Sequence, residues 1–265
     1  MKLLKSITQT LKPLVTRRNI WIQRSHRVLL DRWDHQMPFD LHYVLPHLLL
    51  RRQPITMVQV GACDGLLDDP VEPYIRSGRI KGLLVEPQPE AFATLQERYK
   101  DRSDIMLANC AVTASDGELK MYRIRSSHLH LAPAYAFGMA STKPDTLVAE
   151  LKRWTPDPWA AIETIHVPAV TWKTLFETHS VDQIDLVQLD TEGLESELLD
   201  AFPFESFQPI LLHFEWVHLE EPVLGNLFNR LMDLGYSLHL AGIDAVAYRR
   251  DKAEAITILP AGLAK

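Results

Sequence analysis

The chain has 265 residues, 46% of them hydrophobic and 23% charged, with a formal net charge of −6. This suits one large globular domain with an appendage, and it excludes the strongly basic footprint of a nucleic-acid binder. The two cysteines, Cys63 and Cys110, make neither a disulfide framework nor a C-x-x-C zinc motif, no apolar run reaches the ~20 residues of a membrane span, and no apolar core follows Met1–Lys5 as a leader would need, so the expected compartment is the cytoplasm.

Residues 1–52 form a province of their own. Leu3, Ile7, Leu11 and Val15 share helical spacing, and Pro13 limits the first helix. Eight lysines and arginines precede or flank the first acid, Asp31, with Trp21, Trp33, Phe39 and Tyr43 among and after them. Two readings fit: a helix that touches a membrane surface or a partner, and a helical cap packed on the next domain. The lack of a clean apolar face favours the cap.

The α/β region opens near Pro54. Residues 55–60 are an apolar run that stops at a loop with Gly61 and Gly65, as a buried parallel strand does before a ligand-approaching turn. Residues 66–77 read as a helix broken near Pro70 and Pro73, and residues 81–86 as a second strand. Pro87-Gln88-Pro89 opens a helix through Phe92, Leu95 and Tyr99, and residues 105–108 form a third strand. This alternation predicts a parallel, doubly wound half-sheet. Asp116-Gly117 between two apolar runs signals a hairpin. Residues 125–163 are poorly periodic and read as an insertion with short helices, the kind of element that carries substrate binding. Strands at 165–170, 184–190 and 210–215, helices at 172–178, 195–202 and 220–234, and a closing hairpin over 236–249 complete the chain.

Several strand ends carry polar residues that could line one crevice. Glu86 lies 25 positions after Gly61, where an acid can accept hydrogen bonds from ribose hydroxyls; the alternative is a surface acid at a helix start. Asp190 either points into the crevice or caps a helix, and spacing does not separate the two. His213 and Glu215 share one face of a strand, either as a base with its orienting partner or as buried polar residues satisfied by neighbours. His128 and His130 match no zinc signature.

Taken together, Val-Gln-Val-Gly-Ala-Cys-Asp-Gly (58–65), Asp69-Pro70, the run from Gly82 to Pro89, Asn109-Cys110-Ala111-Val112, the run from Ile184 to Gly193 with its Asp-x-Glu-Gly end, and Leu212-His213-Phe214-Glu215 resemble the FkbM family of S-adenosylmethionine-dependent methyltransferases. The resemblance covers about residues 55–240. It implies a Rossmann-like, mostly parallel seven-stranded sheet over residues 53–265, after a helical N-terminal extension, and O-methylation of a hydroxyl on a sugar, glycan or other natural product. By it, Gly61 with Ala62, Asp64 and Gly65 would hold the methionine moiety, Glu86 with Pro87 the ribose, and Asn109, Cys110 and Ala111 the adenine. Asp190 would sit near the reacting centre. Many relatives carry Tyr-Ser or Phe-Ser after the glycine loop, where this chain has Leu66-Leu67.

A sugar hydroxyl is a poor nucleophile while protonated, so Asp190 or His213 is expected to take its proton, with Glu215 orienting the imidazole. No metal is required, although a divalent cation could be held by Asp190, Glu192 or Glu215. Two other functions stay open. One is a nicotinamide-dependent oxidoreductase, against which the missing pyrophosphate glycine spacing speaks. The other is a non-catalytic module docking a partner through its N-terminal arm. The expected partner is a small-molecule or glycan acceptor, with no nucleic acid.

Overall fold

The computed structural model describes residues 20–23 and 40–255 of the chain. The helix expected over Leu3 to Val15 lies outside these residues. Strand β1 (Ile20–Gln23) is followed by helix α1 (Leu41–Arg51) and strand β2 (Ile55–Val60). Helix α2 (Glu72–Arg76), strand β3 (Ile80–Val85), helix α3 (Pro89–Tyr99) and strand β4 (Ile105–Ala108) continue the alternation. Two short or curved strands, β5 (Ala111–Val112) and β6 (Gly117–Ile124), lead to 3₁₀ turns at Ser126–Leu131 and Ala134–Phe137, strand β7 (Ala140–Ser141), helix α4 (Pro144–Leu151) and strand β8 (Ile162–Val170). The remainder is α5 (Trp172–Thr178), β9 (Leu186–Leu189), α6 (Glu195–Ala201), β10 (Leu211–Glu215), α7 (Glu221–Asp233), β11 (Tyr236–Ala241), β12 (Asp244–Arg249) and a 3₁₀ turn at Arg250–Ala255.

The main sheet has the order β1-β11-β12-β10-β9-β2-β3-β4. Only β12 runs against its neighbours. The seven strands from β2 onward give the doubly wound, mostly parallel sheet expected from the sequence. The eighth is a correction. Residues 20–23 lie in the stretch read as helical, yet they pair in parallel with β11, Ile20 opposite Leu238 and Gln23 opposite Ala241. Ile-Trp-Ile is β-prone, and β11 would otherwise leave a long unpaired edge.

Apolar spacing explains the layers. Asp40 caps α1 by accepting from the Tyr43 amide at 3.0 Å, and Leu41, Val44, Leu45, Leu48 and Leu49 fall on one stripe. That stripe packs with Ile55, Met57, Leu186, Leu211 and Val246 on one face of the sheet. The other face carries Val60, Val187, Leu189 and Phe214 under Trp172, Phe176, Leu199, Phe228 and Leu231 of α5 to α7. The central strands are therefore buried on both faces, which is why they read as continuous apolar runs.

Two local expectations are corrected. The helix expected over 66–77 is only Glu72–Arg76. Upstream, the Asp64 carboxylate accepts from the Leu66 and Leu67 amides at 2.9 and 2.8 Å and Asp69 accepts from Val71 at 2.9 Å, so side-chain turns take the amides a helix would need. The Asp116-Gly117 turn closes no hairpin between β5 and β6. Strand β8 lies between them in a second sheet of order β5-β8-β6-β7. Asp116 instead accepts from the Thr171 amide at 2.6 Å and the Thr174 hydroxyl at 2.7 Å, pinning the start of α5.

At the end of the main sheet where β2 and β9 begin, Asp185 is 2% exposed. Its carboxylate accepts from the Thr56 amide at 2.9 Å, and Arg52 stands 3.2 Å away. Asp185→Ala leaves that amide unpaired and is expected to cost about 2–3 kcal/mol. Urea denaturation checks this; an unchanged midpoint would show that the carboxylate carries no stability.

Candidate active site

The loop after β2 is positioned by one close approach. Gly61 has φ +87, and a Cβ there would stand 1.8 Å from the Asp190 carbonyl oxygen. Only glycine tolerates both the conformation and the contact. The Gly61 and Ala62 amides both reach the Val85 carbonyl, at 2.9 and 3.0 Å, and the Asp190 amide reaches that of Val60 at 3.0 Å. The ends of β2, β3 and β9 are thereby tied together at one side of a crevice of about 940 Å³. That volume suits a cofactor-sized ligand.

Glu86, just past β3, is 3% exposed and lines the crevice. Its oxygens accept from the Cys63 amide at 2.8 Å and the Gln88 amide at 2.7 Å. Burial pushes its carboxyl up to about 7 against those two bonds. It is not the surface acid of the alternative reading, and each oxygen keeps a lone pair for a ligand hydroxyl. Gly61, Pro87 and Ala111 also line the crevice, as does Asp190. Ala62, Asp64, Gly65, Asn109 and Cys110 are not in its wall. Asp64 serves the loop turn described above. Gly65 packs on Leu95 and Tyr99, and Asn109 donates to the Glu86 and Pro87 carbonyls at 2.8 and 3.2 Å, fixing the loop from behind.

Asp190 directly follows β9 and lines the crevice, exposed to its solvent with protein around it. It is no helix cap, since α6 starts five residues later after Leu194. Burial, then the nearby Glu192, Glu215, Glu195 and Asp244 charges, push its carboxyl up to about 8. The following turn is shaped by Glu195, fully buried, which accepts from the Thr191 amide and hydroxyl at 2.8 and 2.9 Å and the Gly193 amide at 3.0 Å. Glu192 is left at φ +56, an uncommon conformation for a side-chain-bearing residue, and reaches into the crevice. Burial first, then Glu215, raise it to about 7.

The pairing expected between His213 and Glu215 is corrected. Side chains two apart on a strand stand about 7 Å apart, beyond hydrogen-bond reach. Glu215 instead lies 3.1 Å from His218 Nε2, and the same nitrogen is 3.4 Å from Glu192. His213 is 8% exposed, with Nε2 3.9 Å from Asp244 and no hydrogen-bond partner on Nδ1. Burial lowers it to about 4, so it is neutral at pH 7. His218 was missed; its signal is the Glu-x-x-His spacing just past a strand end. The bond to Glu215, then the Glu215 and Glu192 charges, raise it against burial to about 9.

The ligand atoms of Glu192, Glu215 and His218 lie within 4.8 Å of one another. The protonated imidazole supplies the positive charge between the two carboxylates, and a cation there would have to displace that proton. His128 and His130 sit apart, on the first 3₁₀ turn.

A model of the methyltransferase FkbM domain matches residues 59–238. The chain belongs to the FkbM methyltransferase family. Membership of a methyltransferase family argues against the nicotinamide alternative. The chain is also similar to a methyltransferase FkbM from Methylobacillus flagellatus KT (15% identity, 81% of this chain and 48% of that one, TM-score 0.48), so it spans about half that protein's length. Similar too are Aeropyrum pernix fibrillarin with bound S-adenosyl-L-methionine (14%, 77% and 73%, 0.37) and an O-methyltransferase from Bacillus cereus in complex with SAH (6%, 94% and 91%, 0.40). No curated protein matches the chain. Among the described residues no helix is long and apolar enough to cross a membrane.

Because folding raises the His218 pKa above the ordinary histidine value of about 6.5, its contribution to stability is whole below that value. It is lost as pH rises through about 9. His218→Gln should therefore lower Tm most in mildly acidic buffer and least in alkaline buffer. Thermal melts across pH read this, and a constant difference would contradict the ion-pair assignment.

Proposed function

We propose that this methyltransferase transfers a methyl group to a hydroxyl of a sugar, glycan or other natural product, with Asp190 as general base. The observation that carries this reading is the Asp190 carboxylate itself. It stands on the crevice floor with no hydrogen-bond partner among the described residues, and its pKa of about 8 lies close to working pH. S-adenosylmethionine, when bound, supplies an already activated methyl group. The protein's work is then to align the acceptor, exclude water and take the hydroxyl proton.

In this reading Glu86 holds the ribose hydroxyls and the Gly61 turn admits the methionine moiety against bare backbone. Ala111 and Pro87 border the adenine, while Ala62, Asp64, Gly65, Asn109 and Cys110 keep that edge in shape. The Glu215–His218–Glu192 group fixes the charge beside Asp190. His213 is neutral and buried, and it contacts the acceptor instead of taking its proton. Residues 53–265 are the catalytic domain, and residues 125–163 wall the acceptor side. Both thiols are free, which suits a reducing cytoplasm. The net charge and the acidic crevice suit a small-molecule or glycan acceptor better than nucleic acid.

Asp190 must be a carboxylate to accept a proton. The value of kcat/KM should therefore climb with pH and level off above about 8. Asp190→Asn should lose that limb and about 10²–10⁴ in kcat while still binding cofactor. An unchanged kcat would remove Asp190 from the role. Separately, Glu86→Ala should weaken S-adenosylmethionine binding about tenfold or more by calorimetry; affinity equal to wild type would move the ribose elsewhere.

A further inference from the structure

The cofactor reading uses the ends of β3, β2 and β9. The crevice does not stop there. It continues past β10 to β12, where His42, His213, Ile243 and Asp244 also line it. From Glu86 to Asp244 is four strand spacings, about 19 Å, so this far end is open to a second ligand.

Its chemistry is one-sided. Gln188 and His213 are direct cross-strand neighbours on one face. Gln188 is 3% exposed and its Oε1 has no hydrogen-bond partner; the same holds for Nδ1 of the buried His213. Gln59 Oε1, Trp216 Nε1 and Glu221 Oε1 are also buried without a partner, but Gln188 and His213 belong to the residues that line the crevice, where a ligand can answer them. With its proton on Nε2, facing Asp244, the neutral His213 ring offers Nδ1 as an acceptor. Asp244, Glu215 and Asp190 add carboxylate acceptors, and burial followed by the Glu215 charge raises Asp244 to about 6. Among the described lining residues Arg153 is the lone Lys or Arg. It lies across the crevice, just past the end of α4, bonded to Glu150 at 2.8 Å. This end therefore asks for a ligand that donates hydrogen bonds and carries no negative charge.

We propose that the β10–β12 end of the crevice, built from Gln188, His213 and Asp244, is the acceptor subsite and selects a polyhydroxy compound bearing a protonated amino group, of the amino-sugar or aminocyclitol class. This rests on the hydroxyl-methylation reading and narrows it. The hydroxyls and ammonium of such a ligand donate to Gln188 Oε1, His213 Nδ1 and Asp244. A phosphorylated or carboxylated sugar meets carboxylates there, and the two cations of the lining are already paired, His218 with Glu215 and Glu192 and Arg153 with Glu150.

The test is calorimetric titration of the full chain, saturated with S-adenosylhomocysteine, using D-glucosamine, D-glucose and D-glucose 6-phosphate. Glucosamine should bind about tenfold or more tightly than glucose, and the phosphate should not bind. Asp244→Asn should bring glucosamine within about twofold of glucose while leaving S-adenosylhomocysteine affinity as in wild type, which also shows that the variant folds. Gln188→Met should weaken both neutral and amino sugar. The proposal fails if glucose 6-phosphate binds as well as glucosamine, if none of the three binds, or if Asp244→Asn keeps the amine preference. Locating the methyl group by NMR separates the two readings. Methyl on the nitrogen of a bound amino sugar sinks O-methylation and leaves the subsite standing. Methyl on the oxygen of an anionic acceptor does the reverse.

Discussion

The site depends on one contact that a single methyl group would abolish. Gly61 lies so close to the Asp190 carbonyl that no Cβ fits between them. The contact exists because β2 and β9 are adjacent and parallel, Val60 opposite Leu189, so both strands end at one level. The chain leaving β2 must then cross the end of β9, with its amides turned back to Val85 on β3. Three strand ends become one rigid rim. Glu86, Asp190 and the bare backbone between them gain fixed positions without any contribution from a bound molecule, which is the preorganisation that an alignment-driven reaction needs.

The acids of the rim divide by what answers their charge. Glu195 and Glu86 are buried against backbone amides and hold turns in place. Glu192 and Glu215 share the imidazolium of His218. Asp190 and Asp244 have no such answer, and both are raised, by burial first and by neighbouring carboxylates second. Placing so many carboxyls together is unfavourable for the empty protein, and any ligand that brings positive charge or hydrogen-bond donors relieves it. Structural and reactive acids are therefore told apart by their partners, not by their spacing in the chain.

That distinction marks the limit of the sequence. The strands β2, β3, β4, β9 and β10 were legible because burial on both faces leaves uninterrupted apolar runs between polar ends. Helix α5, at residues 172–178, was legible from its own spacing. The 66–77 helix was misread because Asp64 and Asp69 compete for backbone amides over distances that propensity does not register. The Asp116-Gly117 turn was misread because its aspartate bonds to residues 55 and 58 positions away. In the site, the glycine rim and Asp190 could be found, whereas the partner of Glu215 could not: strand period gives the face but not the next turn, where His218 comes back.

The segment over residues 125–163 was the least legible part, and its attachment explains why. Residues 125–163 build a small core of their own from Ile124, Ala136, Leu147, Val148, Leu151 and Ile162. That core is tied to the rim at few points. Gln88, at the start of α3, donates to the Gly138 carbonyl at 2.8 Å, and Arg123 of β6 reaches Glu90 of α3 and Glu163 of β8. All these ties lead to the helix that follows Glu86. The position of this segment is thus referenced to the loop that carries Glu86, while its Tyr135, Thr146 and Glu150 line the crevice. On the proposed reading, a fold built this way keeps the methyl donor's seat constant and lets the acceptor's seat change by substitution in one segment. Such a segment is constrained mainly by its own packing, and that is too little pattern to be read from one chain.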